Sequence, residues 1–268
     1  MKKLLSFILF ISLILSVFTG CSSQSASSVQ EPLKVGVTAG PHEQIVEKVK
    51  ELSAKQGLEI ELVVFNDYLQ PNMQLFEKQI DVNSYQHKPY LDKFNTDHKM
   101  NLISIAPTVN FPMGIYSNKL QALDALKQGD TISLPNDPTN EARALLLLQS
   151  ANVIKLREGS NLDVTIKDIV ENPKEIKFIE LDAPMVAHSL EDVAAAAINT
   201  NFAMQAGFNP VKDSIFIEPK DSPWVNIVAV RPDNKEDERI KKFIDIYHSE
   251  EVKQFMDETF QGSVVPGF

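Results

Sequence analysis

LKVGVTAGPHEQIVEKVKELSAKQGLEIELVVF, residues 33–65, decides the fold. Leu33 to Thr38 alternates as a strand does, with successive side chains on opposite faces. Pro41 stands where a first helical turn tolerates it. Ile45, Val49 and Leu52 then recur at spacings of four and three until Gly57 ends the helix. Leu58 to Phe65 is the next strand. Strand, helix and strand in about thirty residues make a parallel βαβ unit.

The alternation continues downstream. Helices are expected at 69–78, 89–98, 120–127, 139–151, 235–248 and 250–260. Strands are expected at 80–85, 102–107, 111–116, 131–134, 176–181, 193–198, 214–218 and 225–230. About ten strands interleaved with helices predict an α/β architecture with two open sheets, because one sheet of that size is unusual. Such sheets take ligands at the carboxyl ends of their strands, and two facing each other form a cleft.

Upstream, the chain reads as processing and tether. Lys2 and Lys3 precede an apolar run from Leu4 to Phe18, which then meets Thr19, Gly20 and Cys21. The run is shorter than the roughly 20 residues that span a bilayer, so residues 1–20 are expected to be an export signal. Cys21, the only cysteine of 268 residues, forbids an internal disulfide or a Cys-based zinc cluster. Its place after Thr-Gly resembles a lipobox, with Phe18 where Leu is usual, and predicts lipidation at Cys21. Several acyl chains anchor where one binds only marginally. The alternative is a secreted protein with an incidental cysteine. Residues 21–32, Ser- and Gln-rich, read as a flexible tether. Loss of residues 1–20 takes the net charge from −10 to −12. That acidity, without any Lys- or Arg-rich run, opposes a nucleic-acid role.

Three segments place polar and aromatic residues just after strands. In the first, Tyr68 accompanies VNSYQHKPY at 82–90; an extended 82–87 directs Tyr85 and His87 to one face, and Tyr90 follows one turn later. Converging rings can wall a pocket for an apolar or thioether group, and they equally suit an ordinary core or rim. In the second, PNDPTNEAR at 135–143, Asp137 or Thr139 can cap the helix that carries Arg143. A helix N-terminus with a guanidinium fork suits a carboxylate, although Arg143 can as well pair with Glu141 or another carboxylate of the domain. The third comprises Asn199 and Asn226, whose amides offer both acceptor and donors to a zwitterion, or serve as turn residues.

Taken together, FNDYLQPN, VNSYQHKPYLD, PNDPTNEARALLLLQ, AAINTNFA and SPWVN, followed by KKFIDIYHSEEV, resemble the NlpA/MetQ family of lipoproteins, substrate-binding proteins of methionine ABC importers. The resemblance runs from about Leu33 to the C-terminus. It implies a two-lobed periplasmic-binding-protein-like α/β fold with the ligand in the interlobe cleft, lobe I being 33–112 plus 225–268 and lobe II 113–224. By the same resemblance Tyr68, Tyr85, His87 and Tyr90 form the aromatic pocket for the methionine side chain. Arg143 takes the carboxylate, and Asn199 and Asn226 hold the amino-acid head. Asn140 is a further candidate that can instead be a helix-start residue. Phe is common in the family at the position of Tyr85, and Trp224 replaces a residue that is often Tyr.

The role implied is capture without catalysis or cofactor. The resemblance implies that L-methionine or a related small ligand is delivered to an ABC permease and its ATPase, and that the protein is lipid-anchored on the extracytoplasmic face of the cell membrane. A methionine-containing dipeptide or D-methionine is the alternative ligand within that role. Zinc capture is the distant alternative, because His42, His87, His98, His188 and His248 show no close-spaced ligand pair. No G-x-S-x-G, H-E-x-x-H or G-x-x-x-x-G-K-[ST] motif supports an enzyme.

Overall fold

In a computed structural model covering residues 31–159, 161–220 and 222–268, the unit at 33–65 forms as its pattern requires. β1 (Leu33–Thr38) and β2 (Ile60–Phe65) pair in parallel, from Leu33 opposite Ile60 to Thr38 opposite Phe65. The helix between them, Pro41–Lys55, buries Ile45, Val46 and Val49 in the core beneath the sheet. The expected signal segment 1–20, Cys21 and the tether as far as Gln30 lie outside the described residues.

The chain then adds β3 (Val82–His87), β4 (Ile103–Asn110), β5 (Gly114–Tyr116), β6 (Thr131–Pro135), β7 (Lys155–Leu156) and β8 (Ile169–Glu171). After these come β9 (Lys177–Leu181), β10 (Ala195–Ile198), β11 (Phe216–Ile217), β12 (Val225–Val230) and β13 (Val265–Pro266). Two main sheets result, as expected for the fold class. One has six strands in the order β13-β4-β12-β3-β1-β2, and the other five in the order β11-β5-β10-β6-β9. The chain leaves the first sheet after Asn110, enters the second at Gly114, and returns through 218–224 into β12, which runs antiparallel between β3 and β4. Each sheet has its own apolar core. The first packs Val35, Val37, Val228 and Val230 against helices that carry Val49, Phe243 and Met256. The second packs Ile132, Leu134 and Ala197 against Leu145 and Leu148 of helix Pro138–Ser150.

Several elements differ from the sequence expectation. The strand expected at 80–85 occupies Val82–His87, with Ile80 buried in the turn before it, so His87 ends the strand. Where a helix was expected at 120–127 there is one 3-10 turn, Leu123–Ala125. Leu123 and Leu126, three apart and both buried, fit three residues per turn. The expected 111–116 strand is β5 alone, because residues 111–113 carry the chain between sheets. Asp137 starts helix Pro138–Ser150 by accepting from the Asn140 N–H at 3.0 Å. Asp237 does the same for Glu238–Tyr247 at the Arg239 N–H, which trims the expected 235–248.

Candidate functional site

The carboxyl end of β3 delivers Tyr85 and His87, and β12 holds Asn226 directly opposite His87 in the antiparallel register. From the other sheet, the turn after β10 supplies Asn199 at the N-terminus of helix Thr200–Gln205, and helix Pro138–Ser150 supplies Asn140 and Arg143 in its first turns. These side chains, with Tyr68 and Tyr90, line one cavity. All eight residues singled out for a ligand are therefore brought together. His42, Gln86, Phe111, Thr200 and Asn201 also line it.

One wall is aromatic. The Tyr68 ring lies 5.9 Å from both Tyr85 and Tyr90, and those two are 6.2 Å apart. The Tyr85 and Tyr90 hydroxyls both donate to the Tyr68 carbonyl, at 2.8 and 3.1 Å. The hydroxyl that distinguishes Tyr85 from phenylalanine is thus used to tie β3 to the Tyr68 loop. Trp224 stands behind the wall, 5.1 Å from the His87 ring and 5.2 Å from the Arg143 guanidinium carbon.

Arg143 is held by protein groups. Its Nε and Nη2 donate to Glu218 at 2.8 and 2.5 Å, and Nη2 also donates to the Phe111 carbonyl at 2.8 Å. Glu218 additionally accepts from the Met113 N–H at 2.8 Å. The partner is therefore not Glu141, which accepts from the Ile166 N–H. The pair is nearly dry, with side chains 4% and 6% exposed. These bonds engage one edge of the guanidinium and leave Nη1 without a partner among the described residues.

The amides form a directional chain. His87 Nδ1 accepts from the Tyr90 N–H at 3.1 Å, so its proton lies on Nε2, which donates to Asn140 Oδ1 at 3.3 Å. Asn199 Nδ2 donates to the same oxygen at 2.8 Å, and Asn140 Nδ2 is held by Asp137. Asn140 is thus both a helix-start residue and the hub of this chain. Asn199 Oδ1 is left buried with no donor among the described residues. Across the cavity, Asn226 Nδ2 meets His42 Nε2 at 2.9 Å, and Asn226 Oδ1 has no donor among the described residues. Burial holds both histidines neutral, each lowered to about 3, with the nearby Arg143 charge adding to the effect at His87.

Groups associated with the two sheets also bond to each other. Tyr68 Oη donates to Asn201 Oδ1 at 2.6 Å beside the cavity, and Gln205 Nε2 donates to the Ala39 carbonyl at 2.9 Å outside its lining. The site presents one cationic donor, the Asn201 Nδ2 amide donor left without an acceptor among the described residues, two oxygens awaiting donors and an aromatic wall, a set that complements a small zwitterion with an apolar arm. Among the described residues no group of three or more His, Cys, Asp or Glu is placed to hold a metal ion.

Sequence reasoning missed His42, Asn201 and Glu218 as parts of this site. His42 follows β1 at a helix start, so the same search at strand ends could have found it. Glu218 lies 75 residues from Arg143, with no local signal joining them.

The chain has relatives among known proteins. A family model described as NlpA lipoprotein matches residues 33–268. A protein of Salmonella typhi named D-methionine-binding lipoprotein MetQ is 47% identical over 239 residues, 88% of each chain. Outer membrane lipoprotein 3 of Mannheimia haemolytica is 42% identical, covering 95% of this chain and 96% of its own. The solved structure of a nutrient-binding protein from Burkholderia cenocepacia bound to methionine superposes with a TM-score of 0.85 at 44% identity. It covers 88% of this chain and all of that one.

Proposed function

Since the chain belongs to the NlpA lipoprotein family, we propose that it captures methionine outside the membrane and passes it to an ABC permease and its ATPase, catalysing no reaction. The observation that carries this reading is the set of unpartnered polar atoms beside the aromatic wall. Arg143 Nη1 is aimed to receive the ligand carboxylate, while Asn199 Oδ1 and Asn226 Oδ1 await the ammonium. Tyr68, Tyr85, His87 and Tyr90 surround the thioether, where a sulfur-aromatic contact is worth about 0.3–1.5 kcal/mol. The head-group atoms come from both sheets, so a ligand touching both favours the closed form and shifts the population towards it.

On this reading residues 33–112 with 225–268 act as one lobe and 113–224 as the other, joined by the crossings at 111–113 and 218–224. Cys21 carries the lipid that keeps the protein on the extracytoplasmic face. Native mass spectrometry of the undialysed protein tests the proposal. A bound mass equal to one methionine, displaced by excess D-methionine but not by glycyl-methionine, is expected; a dipeptide mass would move the assignment to the larger ligand.

A further inference from the structure

His42 is 2% exposed and uses both ring nitrogens. Nδ1 lies 2.8 Å from Thr38 Oγ1 at the end of β1, and Nε2 lies 2.9 Å from Asn226 Nδ2 on β12. The Phe111 ring packs against the imidazole in a T-shaped arrangement, with centroids 4.4 Å apart at 87°. A neutral imidazole carries one proton. An amide NH2 facing Nε2 requires that nitrogen to accept, which puts the proton on Nδ1, where it is donated to the threonine hydroxyl.

The opposite arrangement is also self-consistent. With the proton on Nε2, the ring would draw Asn226 Oδ1 towards itself and turn the amide NH2 into the cavity, while Thr38 donated to Nδ1. The two arrangements present opposite polarity to a ligand. In the observed one, Asn226 Oδ1 joins Asn199 Oδ1 as an acceptor. In the other, an amide NH2 would confront an ammonium.

We propose that His42 is a positioning residue whose Nδ1-protonated form orients the Asn226 amide so that its carbonyl oxygen faces the cavity, giving the site its selectivity for ligands that carry an ammonium. This rests on the methionine reading for the identity of the probe. The pairing of His42 with Asn226 stands on their geometry alone. His42 differs in this from His87, whose tautomer is set by a backbone N–H that cannot reverse its polarity.

The test measures affinity for L-methionine and for its amine-free counterpart, 4-(methylthio)butanoic acid, by calorimetry. His42→Leu is expected to weaken L-methionine by about tenfold or more, the scale of a hydrogen bond to a charged group, and the amine-free acid by less than about threefold. His42→Gln, which again offers an acceptor to Asn226 Nδ2, restores most of the loss. In an Asn226→Ala background His42→Leu has no further effect on the ratio of the two affinities. Equal weakening of both probes would assign His42 a purely structural role and overturn the proposal. Nitrogen-15 NMR of the ligand-free protein gives an independent readout: a protonated Nδ1 and a bare Nε2 support the proposal, and the reverse refutes it. Failure of the wild type to bind either probe would sink the methionine reading, and the NMR result alone would then decide the protonation state of His42.

Discussion

Replacing Arg143 by methionine removes two things at once, and the structure allows them to be separated. Glu218 would remain buried with the Met113 N–H as its one donor among the contacts described above. Breaking a buried pair by removing one partner costs about 3–5 kcal/mol. For a chain of this size each kcal/mol shifts the unfolding midpoint by roughly 2–4 °C, so Arg143→Met should unfold about 6–20 °C lower. Adding Glu218→Gln removes the stranded charge, and the introduced amide can still accept from Met113. The double variant should recover at least half of the loss. Ligand binding follows a different course. Without Nη1 the ligand carboxylate is buried unpaired, which costs about 2–5 kcal/mol, so both variants should bind L-methionine at least about thirtyfold more weakly. Thermal unfolding followed by circular dichroism and calorimetric titration measure the two effects. A single variant that unfolds within about 2 °C of wild type would refute the cost assigned to the buried pair. A double variant that binds L-methionine at wild-type strength would remove Arg143 from the site.

Three other outcomes follow from the geometry. Tyr68→Phe keeps the ring but deletes the 2.6 Å bond to Asn201, a contact between the two sheets; affinity for L-methionine should fall about three- to tenfold, and unchanged affinity would show that this bond does not favour closure. Tyr85→Phe loses a hydroxyl that serves the Tyr68 carbonyl, which keeps Tyr90 as a donor; denaturant unfolding should show a loss of about 0.5–1.5 kcal/mol, with affinity changed by less than about threefold, and a larger loss of affinity would mean the hydroxyl reaches the ligand. His87 is held neutral down to about 3, whereas in the unfolded chain it takes a proton near 6.5. Its contribution is complete above pH 6.5 and is lost as pH falls towards 3, amounting to about 2 kcal/mol between pH 6.5 and 5. Urea unfolding at both pH values should show that difference shrink by about this amount in His87→Gln, and an unchanged difference would argue that His87 is not buried neutral.

The two-sheet α/β fold was legible because its signals are local. Ile45, Val49 and Leu52 mark a helix at helical spacing, and β1 and β2 stand at its two ends. The elements missed are short: β7, β8 and β13 span two or three residues, and helix Thr200–Gln205 spans six, too few for a period to show. At the site, Tyr85, His87 and Arg143 could be singled out because strand ends and helix starts announce them. Their partners could not. That Arg143 binds Glu218 and that His42 faces Asn226 depends in each case on how distant segments assemble around a single sheet, and that Tyr68 meets Asn201 depends on how the two sheets come together. No local pattern encodes those distances. The sequence likewise offered no way to see that Arg143 both pairs with a buried carboxylate and keeps one nitrogen for the cavity, since the two roles had stood as alternatives.

The most direct measurement is a calorimetric titration of L-methionine into protein that has been unfolded in guanidinium, dialysed and refolded to strip any carried ligand. The account predicts saturable binding at one site per chain. A properly refolded protein that gives no heat, and whose unfolding midpoint does not rise with L-methionine, would contradict it.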